Sequence, residues 1–200
     1  MKKISVIMIA AVIGLVPLAV SQAQVGLGAV TWQVSDGLGD TGDFISDISY
    51  IGFGIEGRSY VGRSFSVGIE FDWQVWDEQS NDAIEIEGGT LTGKQFRYIN
   101  AFPMLATLHL YAGEVHNFRM YLGVGVGAYY IMKRLQIGLA NLEDKDWFFG
   151  GGPEFGFLIP WGDVHFLAAA RMNYAVRNFS DTEDAEMWWT AKIGVAYDRW

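Results

Sequence analysis

The feature that most constrains this chain is a two-residue alternation that returns along most of its length. Phe65, Val67, Ile69, Phe71, Trp73 and Val75 share one parity, and Ser66, Gly68, Glu70, Asp72 and Gln74 share the other. Successive side chains of an extended strand point to opposite faces, so this segment has one large apolar face and one small or polar face. On its own it fits a half-buried soluble strand equally well. The later segments separate the two readings. Met120, Leu122, Val124, Val126, Ala128 and Tyr130 alternate with Tyr121, Gly123, Gly125, Gly127 and Tyr129. Phe149, Pro153, Phe155, Phe157 and Ile159 alternate with Gly150, Gly152, Glu154 and Gly156. A soluble sandwich would turn its second face to water, and a row of glycines makes a poor solvated face. The same row suits the crowded lumen of a narrow barrel whose bulky face meets lipid.

Residues 164–177 and 188–197 continue the pattern, with His165, Leu167, Ala169, Arg171 and Asn173, then Trp188, Thr190, Lys192, Gly194 and Ala196, on the inward side. Segments 25–34, 47–56 and 97–111 bring the number of candidate strands to eight. The inward parity of the first two is open. In the third, Pro103 faces the lumen and removes one ladder hydrogen bond. The expected fold is all-β: an eight-stranded antiparallel up-and-down transmembrane barrel. The connections are long at 35–46, 77–95, 132–146 and 178–186, and short at 57–63, 112–117 and 160–163. Long outer loops and short periplasmic turns place both termini in the periplasm. Trp32, Trp76, Trp147, Trp188 and Trp189 fall at the long-loop ends, and Trp161 and Trp200 at the short-turn end. Two membrane-interface girdles follow from that distribution.

The start of the chain reads as an export signal. Lys2 and Lys3 precede an apolar run of 17 residues from Ile4 to Val20, and small residues stand at Ser21 and Ala23. Cleavage after Ala23 leaves 24–200 as one barrel domain. The rival reading, a membrane anchor, is weakened by Gly14 and Pro17 within the run and by the lack of a basic stop-transfer cluster. There is no cysteine, so neither disulfides nor a lipidated cysteine are available. The formal net charge is −9 with no basic stripe, which argues against nucleic acid as a partner. No later apolar stretch approaches a helical span, although 50% of the residues are hydrophobic. Strands must carry that apolar surface.

Three segments, Phe102-Pro103-Met104-Leu105-Ala106-Thr107-Leu108, Tyr121-Leu122-Gly123-Val124-Gly125-Val126-Gly127 and Ile193-Gly194-Val195, resemble the bacterial outer-membrane β-barrel domain family of small eight-stranded, OmpA-like and porin-family barrels. The resemblance spans essentially the whole mature chain. It implies location in the bacterial outer membrane, contact with its lipid and lipopolysaccharide, and assembly by the outer-membrane insertion machinery. That machinery recognises a C-terminal strand ending in an aromatic residue, a role that Trp200 fits. No soluble peptidoglycan-binding domain is expected beyond the barrel.

The inward charges are the candidate functional residues. Glu70, Asp72, Glu154, Arg171 and Lys192 fall near mid-barrel, with Arg97 and Arg177 as basic residues towards the loop end, a possible gate. Charges confined in a lumen only wide enough for side chains must pair. A salt-bridged plug is the leading expectation and an exchanging, gated path the alternative. The long segments, together with Asp47 at the edge of the first, hold 16 of the 23 acids, so the outer surface is expected to be acidic and able to share divalent cations with anionic lipopolysaccharide. Asp36, Asp40 and Asp43 have the composition of a hard-cation site without the spacing of an EF-hand loop, so no resident metal is expected. No cofactor is expected either, since Gly123-x-Gly125-x-Gly127 opens no helix to hold phosphate. His109, His116 and His165 each lack a serine two residues away, and an enzyme is not expected. The leading expectation is a monomeric structural or surface protein. A narrow porin-like channel for small solutes or ions is the alternative, and a lipid-modifying enzyme comes third.

Overall fold

The computed structural model describes residues 26–80, 84–86, 89–91, 94–114, 117–137, 140–178 and 181–199. The segment read as an export signal, Trp200 and His116 lie outside them. The barrel strands are β1 (Gly26–Leu38), β2 (Ile51–Tyr60), β3 (Phe65–Ser80), β6 (Gln95–Ala112), β7 (Arg119–Ile137), β8 (Ala140–Trp161), β9 (Val164–Asn178) and β10 (Asp181–Arg199). A short helix, α1 (Asp40–Phe44), follows β1, and a small hairpin of β4 (Ile84–Ile86) and β5 (Gly89–Leu91) lies between β3 and β6. Each barrel strand pairs antiparallel with its neighbours in chain order, and β10 returns to β1 to close the ring of eight. Closure runs in unbroken register from Gly26 opposite Arg199 to Leu38 opposite Met187.

The faces sort as the alternation requires. Val30, Trp32, Ile69, Phe71, Trp73, Leu122, Val124, Val126, Phe155, Ile193 and Val195 stand exposed on the outside. Buried polar side chains fill the inside. The two strands of open parity are now assigned: Leu27, Ala29, Thr31 and Gln33 of β1 point inward, as do Gly54 and Arg58 of β2, while Phe53 and Ile55 face out. Pro103 is buried within β6, opposite Tyr129. The inward glycines are where space runs out. A Cβ on Gly54 would meet Gln33, Asp72 and Thr31, and one on Gly156 would enter the Tyr121 ring. Gly162, at φ +63° in the turn between β8 and β9, supplies the left-handed conformation that a tight hairpin needs.

Three sequence expectations change. The second strand spans Ile51–Tyr60 rather than 47–56, so the turn that follows is only residues 61–64, and Arg58 belongs to the barrel wall together with Glu56. Residues 132–137, 140–146 and 181–186 are strand rather than loop: β7 and β8 stay paired out to Ile137 opposite Ala140, and β10 begins at Asp181. The charged residues of the β7–β8 extension look like loop in sequence, but Arg134 stands directly opposite Glu143, and facing opposite charges support a ladder. Finally, Trp76 and Trp188 are not girdle residues. Each is 1% exposed and points into the lumen. Their even numbers follow the inward parity of their strands, and that parity prevails over their nearness to the loops.

Candidate functional site: the sealed lumen

The lumen is filled in three layers. At the loop end an apolar layer is built from Trp76, Ile99, Ala101, Leu105, Tyr129, Ile131, Phe148, Ala175 and Trp188, with Ile45, just past α1, tucked among them. Trp188 meets Trp76 edge-on at 5.9 Å and Tyr129 at 5.5 Å between ring centroids. At the turn end Leu27, Ala29, Tyr60, Tyr111, Tyr121, Leu158, Leu167 and Ala196 form a second layer. Arg119 lies over the Tyr111 ring at 4.2 Å and donates to the Arg63 carbonyl at 2.9 Å. Between these layers sits the charge.

Glu154 is the hub of the middle layer. Arg171, opposite it in register, reaches its Oε2 at 2.5 Å, and Lys192 Nζ reaches the same oxygen at 2.9 Å. Its Oε1 accepts from the Tyr121 hydroxyl at 2.9 Å and lies 3.4 Å from Arg58 Nη2 and 3.6 Å from His109 Nε2. Glu70 takes a second bond from Arg171, at 2.6 Å, and a short one from Lys192. Asp72 accepts from Gln33 Nε2 at 2.5 Å and lies 3.9 Å from Arg171 Nη1. All five residues picked from sequence as mid-barrel charges therefore fall in one connected group. Arg97 and Arg177 do not join it. Arg97 donates to the Phe44 carbonyl at 3.1 Å, and Arg177 pairs with Asp144 at 2.9 Å and Asp146 at 3.1 Å, at the loop end.

Sequence reasoning missed Arg58 and Glu56. Glu56 stands directly opposite Glu70, a like-charge pair that would weaken the ladder. Arg58, two residues on and on the same face, relieves it by a bidentate grip on Glu56, with Nη2 donating to Oε1 at 2.8 Å and Nε to Oε2 at 3.2 Å. Its other donor reaches Tyr111 at 3.1 Å, and its plane lies over the Tyr121 ring at 4.4 Å. The signal was available: outward Phe53 and Ile55 put residues 54, 56 and 58 inside if the strand runs on. His109, noted in the sequence only for lacking a nearby serine, is 1% exposed beside Glu154.

The layer sets four carboxylates, Glu56, Glu70, Asp72 and Glu154, against three cations, Arg58, Arg171 and Lys192. Glu56, His109 and Glu154 bring ligand atoms within 4.8 Å of one another, a spacing that a metal ion could bridge. Arg58, however, already lies on both carboxylates and supplies the positive charge that such an ion would bring. Asp40 and Asp43 are exposed on α1 and Asp36 is exposed at the end of β1, and among the described residues the three are not gathered into a ligand set. The mouth above holds a cavity of about 280 Å³ lined by Asp40, Lys133, Asp144, Arg177 and Glu186. Phe148 and Ile131 also line it and belong to the apolar layer below.

The remaining expected interface residues sit on the outside. Trp32, Trp147 and Trp189 are about half exposed in the loop-side half, and Trp161 is 70% exposed beside the turn end. Phe102 pairs with Tyr130 and Tyr130 with Trp147 across three strands, and Trp73 stacks on Phe102 at 6.5 Å. These rings form a continuous belt of the kind found at membrane–water interfaces.

The architecture is that of a small eight-stranded outer-membrane barrel. No family model matches the chain, and no curated protein does. Among solved structures it is similar to Ail, the attachment invasion locus protein of Yersinia pestis, at 12% identity over 86% of this chain and 98% of that one, with a TM-score of 0.54. The same protein in complex with the heparin analogue sucrose octasulfate matches at 13% identity over the same shares, with a TM-score of 0.50. At such identities the likeness is one of fold.

Proposed function

We propose that this chain is an integral outer-membrane protein with a structural and surface role, closed to solutes, and that it performs no catalysis. The observation that carries this is the three-layer lumen. A path for water or ions would have to pass Trp76 and Trp188, the Glu154 group and the Tyr60–Tyr111–Tyr121 layer in turn. The middle layer offers no slack, because Glu154 accepts from three cationic partners and a tyrosine, and opening it strands charges in a low-dielectric interior. Both termini are assigned to the periplasm, with α1, the β4–β5 hairpin and the β7–β8 extension on the cell surface. The acidic loops face partners and divalent cations there, and the barrel acts as a monomer.

Conductance tests the proposal directly. In planar bilayers the protein, and equally its Glu154→Lys variant, should stay at the baseline of the bare membrane. Discrete, reproducible openings by the wild-type barrel would establish the channel reading instead. A separate test addresses the barrel itself: in detergent, unboiled and boiled samples should run as two bands on a gel. One unshifted band from correctly refolded protein would contradict a closed membrane barrel.

A further inference from the structure

The outer face of the β7–β8 extension combines features that the sealed lumen leaves unused. On this face Tyr130 opposes Trp147, then Met132 opposes Lys145, then Arg134 opposes Glu143. With strands rising about 3.3 Å per residue and tilted by about 40°, Lys145 stands roughly 5 Å and Arg134 roughly 10 Å beyond the aromatic belt. That is headgroup height, just past the hydrocarbon boundary that the belt marks. The Arg134 and Lys145 side chains are 50% and 46% exposed. They bracket Glu143, at 3.5 Å from Arg134 and 2.7 Å from Lys145. A hydrogen bond from Lys145 holds the Glu143 carboxyl below its ordinary range, and Lys145 is held above its own. With two cations against one carboxylate, the cluster carries a formal net charge of +1. Arg134 and Lys145 each keep further donors beyond those used on Glu143. The adjacent outward positions on β6, Tyr98 opposite Arg134 and Asn100 opposite Met132, bring no carboxylate to this face.

We infer that Arg134 and Lys145 form a docking site for the phosphate of an anionic lipid headgroup in the surrounding leaflet, with the Tyr130–Trp147 pair packed against that lipid's apolar part. The inference rests on the outer-membrane reading above. Charge complementarity and position select this occupant. The two cations project sideways at the rim, where lipid headgroups lie, rather than into the mouth, where Lys133 is tied to Glu186 at 2.6 Å. A guanidinium and an ammonium set a few ångströms apart on one face match the several oxygens of a phosphate.

The test uses the full barrel in a non-ionic detergent and native mass spectrometry, with diphosphoryl lipid A and the same lipid stripped of its phosphates as probes. The wild-type protein should retain the phosphorylated lipid at least about tenfold better than the stripped one. Arg134→Glu combined with Lys145→Glu should abolish that preference. Glu143→Gln removes the internal competitor and should strengthen it. An unchanged preference in the double variant, or equal retention of the two lipids by the wild type, would overturn the site. The band shift on heating reads out the barrel independently, so a lost preference with an intact shift concerns this site and not the membrane reading.

Discussion

Arg171→Met is expected to destabilise the folded barrel by about 3–5 kcal/mol, the range for removing one partner of a buried ion pair. Arg171 is the cation shared by Glu154 at 2.5 Å and Glu70 at 2.6 Å, with Asp72 at 3.9 Å. Without it Lys192 and Arg58 face four carboxylates in a space with no room for bulk water. Arg171→Lys keeps the charge but loses the fork that spans two carboxylates, so it should recover only part of the loss. Adding Glu154→Gln to Arg171→Met removes one orphaned charge and should return stability relative to the single variant. Urea unfolding in lipid vesicles, followed by tryptophan fluorescence, gives the three differences. A midpoint for Arg171→Met indistinguishable from wild type would mean that the network does not hold the lumen together.

Trp188→Ala is the second large effect, at about 3–5 kcal/mol for loss of a fully buried aromatic. Its ring is held edge-on by Trp76 and Tyr129, and the ring of neighbours is too rigidly anchored on strands to collapse into the gap. Its Nε1 has no hydrogen-bond partner among the described residues, so Trp188→Phe should cost much less. Despite its size the cavity should not make the barrel conduct, because the charged layer lies intact beneath it. Loss of stability without conductance is therefore the expected pair of results, and currents through Trp188→Ala would assign the seal to the aromatic layer alone.

The sequence made the strand count, the antiparallel ring and the central charges legible because period-two alternation is a local property. Once Phe71 and Trp73 face out, Glu70 and Asp72 must face in. What was obscured depended on where alternation stops. Gly57 and the charges around it resemble a turn, so Arg58 was lost from the wall, although its ladder partner Gly68 continues the strand. The β7–β8 extension was hidden for the opposite reason. Lys133, Arg134, Glu143, Asp144 and Lys145 carry no apolar rhythm, and only pairing across the hairpin shows that they form strand. Trp76 and Trp188 carry the inward parity of their strands, and in this barrel parity outranks the interfacial preference of tryptophan. The pairing of Glu154 with Arg58 and His109 could not be read at all, because it joins strands that are not neighbours in the ring.

The way the charges are divided among strands bears on how the barrel can assemble. The β2–β3 arc contributes Glu56, Glu70 and Asp72 against Arg58 alone, a net charge of −2, while the β8–β10 arc contributes Arg171 and Lys192 against Glu154, a net charge of +1. Each arc by itself is unbalanced, and they meet only across the lumen of a finished ring, as in Arg171 on Glu70 and Lys192 on Glu70. An open sheet passing into lipid would carry those charges unmatched at a cost of several kcal/mol each. Seam closure between β1 and β10 must therefore accompany entry into the hydrocarbon rather than follow it, and attraction between the two arcs pulls the edges together as water leaves.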